Sequence, residues 1–508
     1  MRRVLSNKKV VIFSVFLAGL CSLVYELLIS TTASYFLGDS VKQFSITIGL
    51  YLASMGLGSY ISRFVKTKLL RSFIAAEILL GIVGGLSVPL LYLAYAYGTV
   101  FWPVVVGLIM TIGALTGLEI PLLTRIMDEE ESLDVNLANI LSFDYLGALL
   151  ATLAFPFVLL PVLGTFRASL VLGLLNLLIG LVNLGWFADR LERRSRVQGY
   201  LLTAGAALVL GGLLAGSGPV MDRWSNQVYE DRIVYREQTP YQKIVMTRWQ
   251  DDLRLFLDGN LQFSSLDEPR YHEPLVHVPM SQVQEPRRVL VLGGGDGLVA
   301  RELLKYAAVE QVTVVDLDPK IFELARTHPS LARLNNRSLH SPRVQTATKD
   351  AFVFLESTER RYDLILADLP DPNNVSLARL YSRTFYGLVR SHLTRDGVFV
   401  TQATSPYFAQ EAFWTIRSTI EAGGFSHTYP YHVNVPSFGE WGFVMAAERP
   451  LHPQTATPAA DTRFLNDDII PGLFRFPKDL QPEASPQPST LDQPRVLDAY
   501  LDGWRYWN

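Results

Sequence analysis

The chain has 508 residues, a formal net charge of -3 and a hydrophobic fraction of 49%. This length exceeds what one ordinary hydrophobic core organises, so two or more domains are expected. The nearly balanced charge gives no support for a nucleic-acid-binding protein, which usually carries a basic stripe. The only cysteine, Cys21, excludes an intrachain disulfide and a cysteine cluster for a metal ion within one chain.

The N-terminal part of the chain is a series of long apolar runs whose charges are confined to short connections. The first run lacks a clear cleavage site and is followed by similar runs, so it is not read as a cleavable signal peptide. We predict a multi-pass α-helical membrane domain over residues 1–220, with about seven spans in the lipid bilayer. These spans begin near Val10, Phe44, Phe73, Val100, Ile140, Ala168 and Tyr200.

Basic residues favour the cytoplasmic side of a membrane. They cluster before the first run and again within 63–71 and 190–196, whereas the opposite connections carry little beyond Lys42 and Arg167. This bias predicts a cytoplasmic N-terminus, and seven spans would then place the rest of the chain outside the cell.

Four acidic residues lie inside or at the ends of the apolar runs: Glu26, Glu77, Glu119 and Asp144. A carboxylate is costly in hydrocarbon, so such residues usually face the interior of a helical bundle. One interpretation is a passage that attracts cations. The other is structural, with protonated or hydrogen-bonded groups that join neighbouring helices.

The second half of the chain alternates strand and helix patterns from Arg288 onward. The apolar run RRVLVL leads into the turn GGGDG, a helical stretch from Leu298 to Tyr306, and a second strand that ends at Asp316. A glycine-rich turn before a helix presents backbone N–H groups to a ligand, and an acid about 20 residues later binds ribose hydroxyls. We therefore predict a doubly wound, largely parallel α/β domain of the Rossmann-like type over residues 285–450.

Asp296 inside the glycine-rich turn narrows the choice of ligand. Dehydrogenases and adenosylmethionine-dependent enzymes share such turns, but a carboxylate here would repel the carboxylate of intact adenosylmethionine. Asp296 fits better against a lone ammonium group, as in the decarboxylated form of that molecule. Upstream, the alternating patterns YQKIVMTRW and LRLFLDGNLQF predict a small β subdomain over residues 221–284.

Six motifs occur in order between about residues 241 and 447: YQ, LDGxxQ, DExxYHExxxHxP, GGGDG, an acid that ends the next strand, and DxxDP. Together they resemble the spermidine synthase family of polyamine aminopropyltransferases, here in a membrane-spanning form. The resemblance implies transfer of an aminopropyl group from decarboxylated S-adenosylmethionine to putrescine, giving spermidine and methylthioadenosine without a cofactor or metal. Dimers are common in that family, so it also suggests a homodimer.

The resemblance implies one group of residues that binds the nucleotide donor, within which Asp350 reaches the adenine. This donor group consists of Gln242, Gly293, Gly295, Asp296, Asp316, Asp350 and Ala351.

The acceptor side follows from the same resemblance. Gln262, Tyr271 and His272 line the junction of donor and acceptor, and Asp371 binds the acceptor. Asp368 is the catalytic acid/base, which agrees with the chemistry: an alkyl amine has a pKa of about 10.4 and needs a base before it can attack carbon.

Each of these residues also has a structural interpretation. Asp368 and Asp371 follow a strand, where aspartate often only caps the next turn. Asp296 could cap the helix after it, His272 could be an ordinary core histidine, and Gln262 could face solvent on a hairpin.

The chain departs from the family pattern at the acceptor end. Phe438 stands where a tyrosine is usual, NNVS follows the DxxDP motif in place of VGP, and Ala351 replaces a glycine. Donor binding is therefore better supported than the identity of the amine, which could be putrescine, a longer polyamine or another amine. For the tail over 451–508, we expect mobile Pro-rich links and short packed segments.

Two other functions stay open from sequence: a membrane-bound methyltransferase that uses intact adenosylmethionine, and a polyamine transporter with a sensing domain. The enzyme interpretation also conflicts with the predicted topology, because its nucleotide donor is cytosolic. Either one run is re-entrant, or the number of spans differs by one, or the catalytic domain faces outward.

Overall fold

The structure, a computed structural model, describes residues 2–37, 40–96, 100–127, 133–221, 229, 231–482, 484–505 and 507. The chain divides into two compact units, Met1–Ser225 and Asn226–Asn508. The first is helical, and the second contains two β-sheets with helices.

Apolar helices form the first unit, and their packed faces make a core of Leu, Ile, Val and Phe side chains. A short π-helical segment, Phe155–Leu159, connects the fifth helix to the sixth. The helices are α1 (Arg2–Leu37), α2 (Ser40–Ser62), α3 (Leu69–Ala96), α4 (Phe101–Met127), α5 (Leu133–Ala154), α6 (Leu160–Trp186) and α7 (Arg193–Ala215).

Six helical segments within the described residues are long and apolar enough to cross a membrane. The sequence predicts seven spans, and the difference lies in Asp134–Trp186, which forms one 53-residue helical segment. At 1.5 Å per residue this segment is about 80 Å long, more than twice the roughly 30 Å of a bilayer core. Gly164, with φ of 67°, interrupts the helix, and each part is long enough for one crossing.

Small residues let α2 and α4 approach closely. A Cβ added at Gly117 would lie 2.1 Å from the Met55 carbonyl oxygen, and one at Gly58 would lie 2.1 Å from the Ala114 carbonyl oxygen. Glycine at these two positions therefore permits backbone contact between the helices, as is common in apolar helical bundles.

The acidic residues of the apolar runs face the interior of this unit. Glu26, Glu77 and Glu119 are buried, and Asp144 is half-buried. Glu77 Oε2 accepts a hydrogen bond from Asn176 Nδ2 at 3.3 Å. This bond matches the interpretation in which polar groups join helices, while the cation passage stays a prediction.

The second unit begins with the predicted small β subdomain. Its strands pair antiparallel in the order β1-β2-β3-β4. Asp258 and Gly259 form the tight turn between the last two strands and have φ of 49° and 86°. The strands are β1 (Arg232–Gln238), β2 (Lys243–Trp249), β3 (Asp252–Leu257) and β4 (Asn260–Ser264).

A seven-stranded sheet in the order β10-β11-β9-β8-β5-β6-β7 forms the centre of the unit. Five strands, from β9 to β7 in that order, are parallel, as predicted, whereas β11 pairs antiparallel with β9 and β10. The sequence analysis missed β10. The strands are β5 (Arg288–Gly293), β6 (Gln311–Asp316), β7 (Val344–Thr348), β8 (Tyr362–Asp368), β9 (Leu393–Gln402), β10 (His427–Val435) and β11 (Gly439–Ala447).

Helices cover both faces of this sheet, which explains why its central strands are continuous apolar runs. The helix after the glycine-rich turn ends at Leu303, three residues before the predicted end. The helices are α8 (Pro269–Met280), α9 (Leu298–Leu303), α10 (Pro319–Thr327), α11 (Pro329–Leu334), α12 (Ala351–Ser357), α13 (Val375–Ala378), α14 (Arg383–Ser391), α15 (Gln410–Ala422), α16 (Ile470–Leu473) and α17 (Arg495–Trp504).

The described part of the tail packs on the second unit. Glu273 accepts hydrogen bonds from the backbone N–H groups of residues 463–465 at 2.6–2.9 Å. Trp414 Nε1 donates to the Leu480 carbonyl oxygen at 2.9 Å. Helix α17 then packs along α15, which itself contacts β10 and β11.

Candidate active site

The carboxyl ends of β5 and β8 bring the glycine-rich turn to the DxxDP motif. In this parallel pair Gly293 lies opposite Asp368. A Cβ at Gly293 would lie 1.9 Å from the Asp368 carbonyl oxygen, and the glycine has φ of 82°. Glycine is therefore required here both for backbone conformation and for the close approach of the two strands.

The ends of β5 and β6 form the predicted donor side. Asp316 accepts hydrogen bonds from the backbone N–H groups of Gly295 and Asp318, each at 3.1 Å. Gln242 Nε2 donates to Asp318 Oδ2 at 3.1 Å, so the β subdomain is tied to this edge of the sheet. Three predicted donor residues thus lie in one connected set.

Asp350 caps a helix, and Asp296 accepts a hydrogen bond from the first residue of another helix. Asp296 accepts from the Leu298 N–H at 2.9 Å, at the start of α9. Asp350 accepts from two backbone N–H groups in the first turn of α12 and forms an ion pair with Arg379. Ala351 is the buried first residue of that helix. The Asp296 bond is compatible with the structural interpretation, and a role of Asp296 in donor binding stays a prediction.

Asp368 has a direct partner at the junction of donor and acceptor. The Tyr271 hydroxyl donates to Asp368 Oδ1 at 2.7 Å. Burial raises the pKa of Asp368, while the charge of His272 and the Tyr271 hydrogen bond act in the opposite direction. A half-buried carboxylate with a raised pKa is a stronger base than an ordinary aspartate.

His272 is buried and held by a buried ion pair. Its Nδ1 lies 2.9 Å from Glu268 Oε2, and Arg301 donates from both terminal nitrogens to the same carboxylate. Burial would lower the pKa of His272, but the hydrogen bond and charge of Glu268 outweigh it and raise the pKa above its ordinary value. His272 is therefore held toward its cationic form, beside Asp296 and Asp368.

Asp371 is surrounded by hydrogen-bond donors. Gln402 Nε2 donates to Oδ1 at 3.1 Å and Thr404 Oγ1 to Oδ2 at 3.3 Å. Burial raises the pKa of Asp371 to about 6, although Gln402, Thr404 and the nearby Tyr500 of α17 act to lower it.

Gln262 has a different environment from the other predicted residues. Its amide donates to the Asn260 carbonyl oxygen at 3.1 Å within the hairpin that ends with β4. This bond matches the structural interpretation, and a role of Gln262 in substrate binding stays a prediction.

The site concentrates negative charge. Burial, together with the nearby charge of Asp368, raises the pKa of Asp296 and of Asp316 to about 6. Carboxylates that raise one another's pKa in this way are stabilised by a cationic ligand. Within the described ranges, no group of three or more His, Cys, Asp or Glu residues could hold a metal ion.

Sequence reasoning missed several residues that shape the site. Glu268 lies inside the DExxYHE motif, so the motif itself was a signal for it. Arg301, Gln402 and Thr404 belong to no motif, and Tyr500 lies far along the chain from the nearby Asp371. Only the tertiary structure brings these residues to the carboxylates.

Comparison with known proteins places this geometry in a family. Residues 268–456 match the Spermine/spermidine synthase domain. Polyamine aminopropyltransferase 2 of Ralstonia nicotianae is 42% identical over 501 residues, which cover 97% of this chain and 98% of the relative. The polyamine aminopropyltransferase of Leptospira interrogans is 42% identical over 498 residues, 97% of this chain and 98% of the relative.

A solved structure and a third relative complete the comparison. The polyamine aminopropyltransferase of Mycobacterium tuberculosis is 39% identical over 514 residues, 98% of this chain and 97% of the relative. A crystal structure of spermidine synthase in complex with the transition state analogue AdoDATO is 24% identical, with a TM-score of 0.45; it covers 49% of this chain and 87% of that chain. Because the relatives extend over nearly the whole of both chains, the prediction from six motifs is confirmed, and this chain belongs to the polyamine aminopropyltransferases of the spermine/spermidine synthase family.

Proposed function

We propose that the protein transfers an aminopropyl group from decarboxylated S-adenosylmethionine to putrescine. The observation that carries this proposal is the group of four aspartates at the carboxyl edge of the sheet: Asp296, Asp316, Asp368 and Asp371. Donor and acceptor are both cations, and acidic side chains stabilise both of them.

Asp368 acts as the base in this reaction. It removes a proton from the acceptor ammonium, and the freed nitrogen lone pair forms a bond to the aminopropyl carbon attached to the sulfonium. The carbon–sulfur bond breaks, and its electrons stay on sulfur, which leaves as the neutral thioether of methylthioadenosine. Tyr271 supports the step, because its hydrogen bond fixes the position of the Asp368 carboxylate.

Asp296 favours this reaction over the methyltransferase alternative. It lies in the glycine-rich turn, where the carboxylate of intact adenosylmethionine would meet a second negative charge. The negative charge of the nearby Asp368 would add to this repulsion. We therefore expect the protein to prefer the decarboxylated donor.

The test is an assay of the full-length protein, purified in detergent, with putrescine and either form of the donor. We expect equimolar spermidine and methylthioadenosine from the decarboxylated donor, and no transfer from the intact one. Product from the intact donor alone would overturn the proposal in favour of a methyltransferase.

Two aspartates on the same strand supply a matched pair of variants. Asp368→Asn removes the base and should lower kcat by about 10²–10⁴-fold, the usual contribution of a general base. Asp363→Asn lies at the opposite end of β8, where Asp363 accepts from the backbone N–H groups of Arg287 and Arg288. It should leave kcat within a few-fold of wild type.

We further propose that the helical unit anchors the enzyme in a lipid bilayer. Six apolar segments of sufficient length and the inward-facing acidic residues support this proposal. Since the nucleotide donor is cytosolic, the catalytic unit should face the cytoplasm. From a cytoplasmic N-terminus this topology needs an even number of crossings, so one of the seven possible crossings, counting two in Asp134–Trp186, would not span the bilayer.

A further inference from the structure

A cleft outside the candidate active site lies among the β subdomain, α9, α11 and the tail. Its volume is about 520 Å³, which is within the usual range for small-molecule sites. None of the described residues that line it belongs to the predicted donor or acceptor groups. Basic side chains are frequent in its lining: Arg248, Arg301, Lys305, Arg333 and Arg463.

The buried acidic residues of the cleft already have partners within the protein. Glu268 accepts hydrogen bonds from both terminal nitrogens of Arg301 at 2.8–2.9 Å. Glu302 accepts from Arg301 Nε at 2.8 Å and forms an ion pair with Lys305 at 2.6 Å. Glu273 accepts from three backbone N–H groups of the tail. These carboxylates therefore neutralise Arg301 and Lys305 and leave the other arginines of the cleft without a buried counter-charge.

Three exposed arginines carry the uncompensated charge of the cleft. Arg248, Arg333 and Arg463 form no ion pair with any residue that the structure describes. The Arg248 guanidinium donates to the hydroxyl of Ser330, which is neutral. One exposed acid, Asp251, also lines the cleft, so three positive charges stand against one negative charge.

The segments that carry these arginines are held in place. Arg248 lies in β2, which pairs with both β1 and β3. The backbone N–H of Arg463 donates to Glu273 Oε1 at 2.6 Å. Asn335, directly after α11, donates from Nδ2 to the Asp296 carbonyl oxygen at 2.7 Å. A site whose backbone is fixed before binding loses less conformational entropy when a ligand binds.

We propose that this cleft is a second ligand site, which binds a small anion with two or more phosphate groups through Arg248, Arg333 and Arg463. The planar guanidinium donates paired hydrogen bonds to phosphate oxygens, and three of them on separate segments match a ligand with several such groups. The inference goes beyond the proposed function, because the donor and acceptor of that reaction are cations, which the three arginines would repel.

The test is calorimetric titration of the full-length protein, purified in detergent, with pyrophosphate and with tripolyphosphate. We expect saturable binding at one site, with an affinity that falls as the salt concentration rises. Absence of saturable binding of both anions at millimolar concentration would overturn the inference.

Two variants and one control locate the binding. Arg333→Gln and Arg463→Gln each remove a charged donor at an exposed position, so each should raise the Kd for tripolyphosphate by about 10-fold. Arg337→Gln is the matched control, because Arg337 is also exposed but does not line the cleft. It should leave the Kd within about 2-fold of wild type. Equal effects of all three variants would show nonspecific attraction by surface charge and would overturn the inference.

Saturating methylthioadenosine separates this cleft from the nucleotide site of the proposed reaction. Binding of tripolyphosphate should persist at the same Kd when methylthioadenosine is present. Loss of binding under that condition would place the anion in the active site and overturn the inference. ATP identifies the source of the phosphate groups: tighter binding than tripolyphosphate supports a nucleotide ligand, and equal binding supports recognition of the phosphate chain alone.

Discussion

Glu268 decides the charge of the buried histidine in the site. His272 would be neutral if burial acted alone, yet the hydrogen bond from Nδ1 to Glu268 raises its pKa. In the other direction, burial would raise the pKa of Glu268, but His272 and Arg301 lower it to about 2. Glu268 therefore adds stability above its unfolded pKa of about 4.3, and this stability is lost as the pH falls toward 2.

Asp296→Asn should stabilise the fold at neutral pH while weakening donor binding. The folded pKa of Asp296 is about 6, above its unfolded value, so the carboxyl favours folding below pH 4 and loses that contribution as the pH rises through 6. A shift of this size corresponds to roughly 3 kcal/mol, and asparagine keeps an oxygen for the Leu298 N–H.

The measurement is thermal or denaturant unfolding of the wild type and of Asp296→Asn from pH 4 to pH 8. We expect the variant to be more stable at pH 8 and the difference to disappear near pH 4. A variant that is less stable at pH 8 would show that Asp296 is not under electrostatic strain in the free enzyme.

At the scale of elements, the turn between β5 and α9 places the catalytic strand ends. Gly293 and Asp368 lie opposite each other, and Tyr271 reaches the same carboxylate from α8. Three elements thus meet at one aspartate. A change in the spacing of β5 and β8 would move the base relative to both substrates.

Gly293→Ala should destabilise the fold and abolish activity. A left-handed conformation costs a non-glycine residue about 1–2 kcal/mol, and here the added methyl group also collides with the Asp368 carbonyl oxygen. Gly259→Ala is the control, since Gly259 has a similar φ of 86° with nothing within 4 Å of the added Cβ.

We expect Gly259→Ala to lower the free energy of unfolding only by this conformational cost, with kcat near that of wild type. Gly293→Ala should lose clearly more stability by denaturant unfolding. Equal losses in both variants would mean that the strands separate easily and that the contact between Gly293 and Asp368 is not tight.

At the scale of the whole molecule, a catalytic unit follows an apolar helical unit in one chain. The curated relatives match over nearly the full length, so this combination is shared among them. A cytosolic donor requires a cytoplasmic catalytic unit, whereas seven crossings from a cytoplasmic N-terminus would place it outside.

Cysteine labelling in intact cells tests the side of the membrane. In a Cys21→Ser background, Leu491→Cys reports on the catalytic unit, where Leu491 is 53% exposed, and Lys66→Cys reports on the basic connection after α2. We expect an impermeant maleimide to label both only after permeabilisation. Labelling of Leu491→Cys in intact cells would place the catalytic unit outside.

The family and the two sheets could be predicted from the sequence, whereas the roles of the site residues stay predictions. Their signals are local: alternating apolar residues for β1–β4, an apolar run and glycine-rich turn for β5, and aspartates at the ends of β6 and β8. Because parallel strands align their carboxyl ends, order along the chain was enough to predict that Asp316 and Asp368 lie at one edge.

The groups that surround those aspartates follow from tertiary packing and could not be predicted from the sequence. Arg301 and Tyr500 are distant in sequence from His272 and Asp371, and no periodicity or motif encodes such contacts. The antiparallel strand β10 and the interruption at Gly164 also depend on packing of the whole unit. Local patterns predict the conformation of a segment. The partners of a buried charge depend instead on the fold, which brings distant segments together.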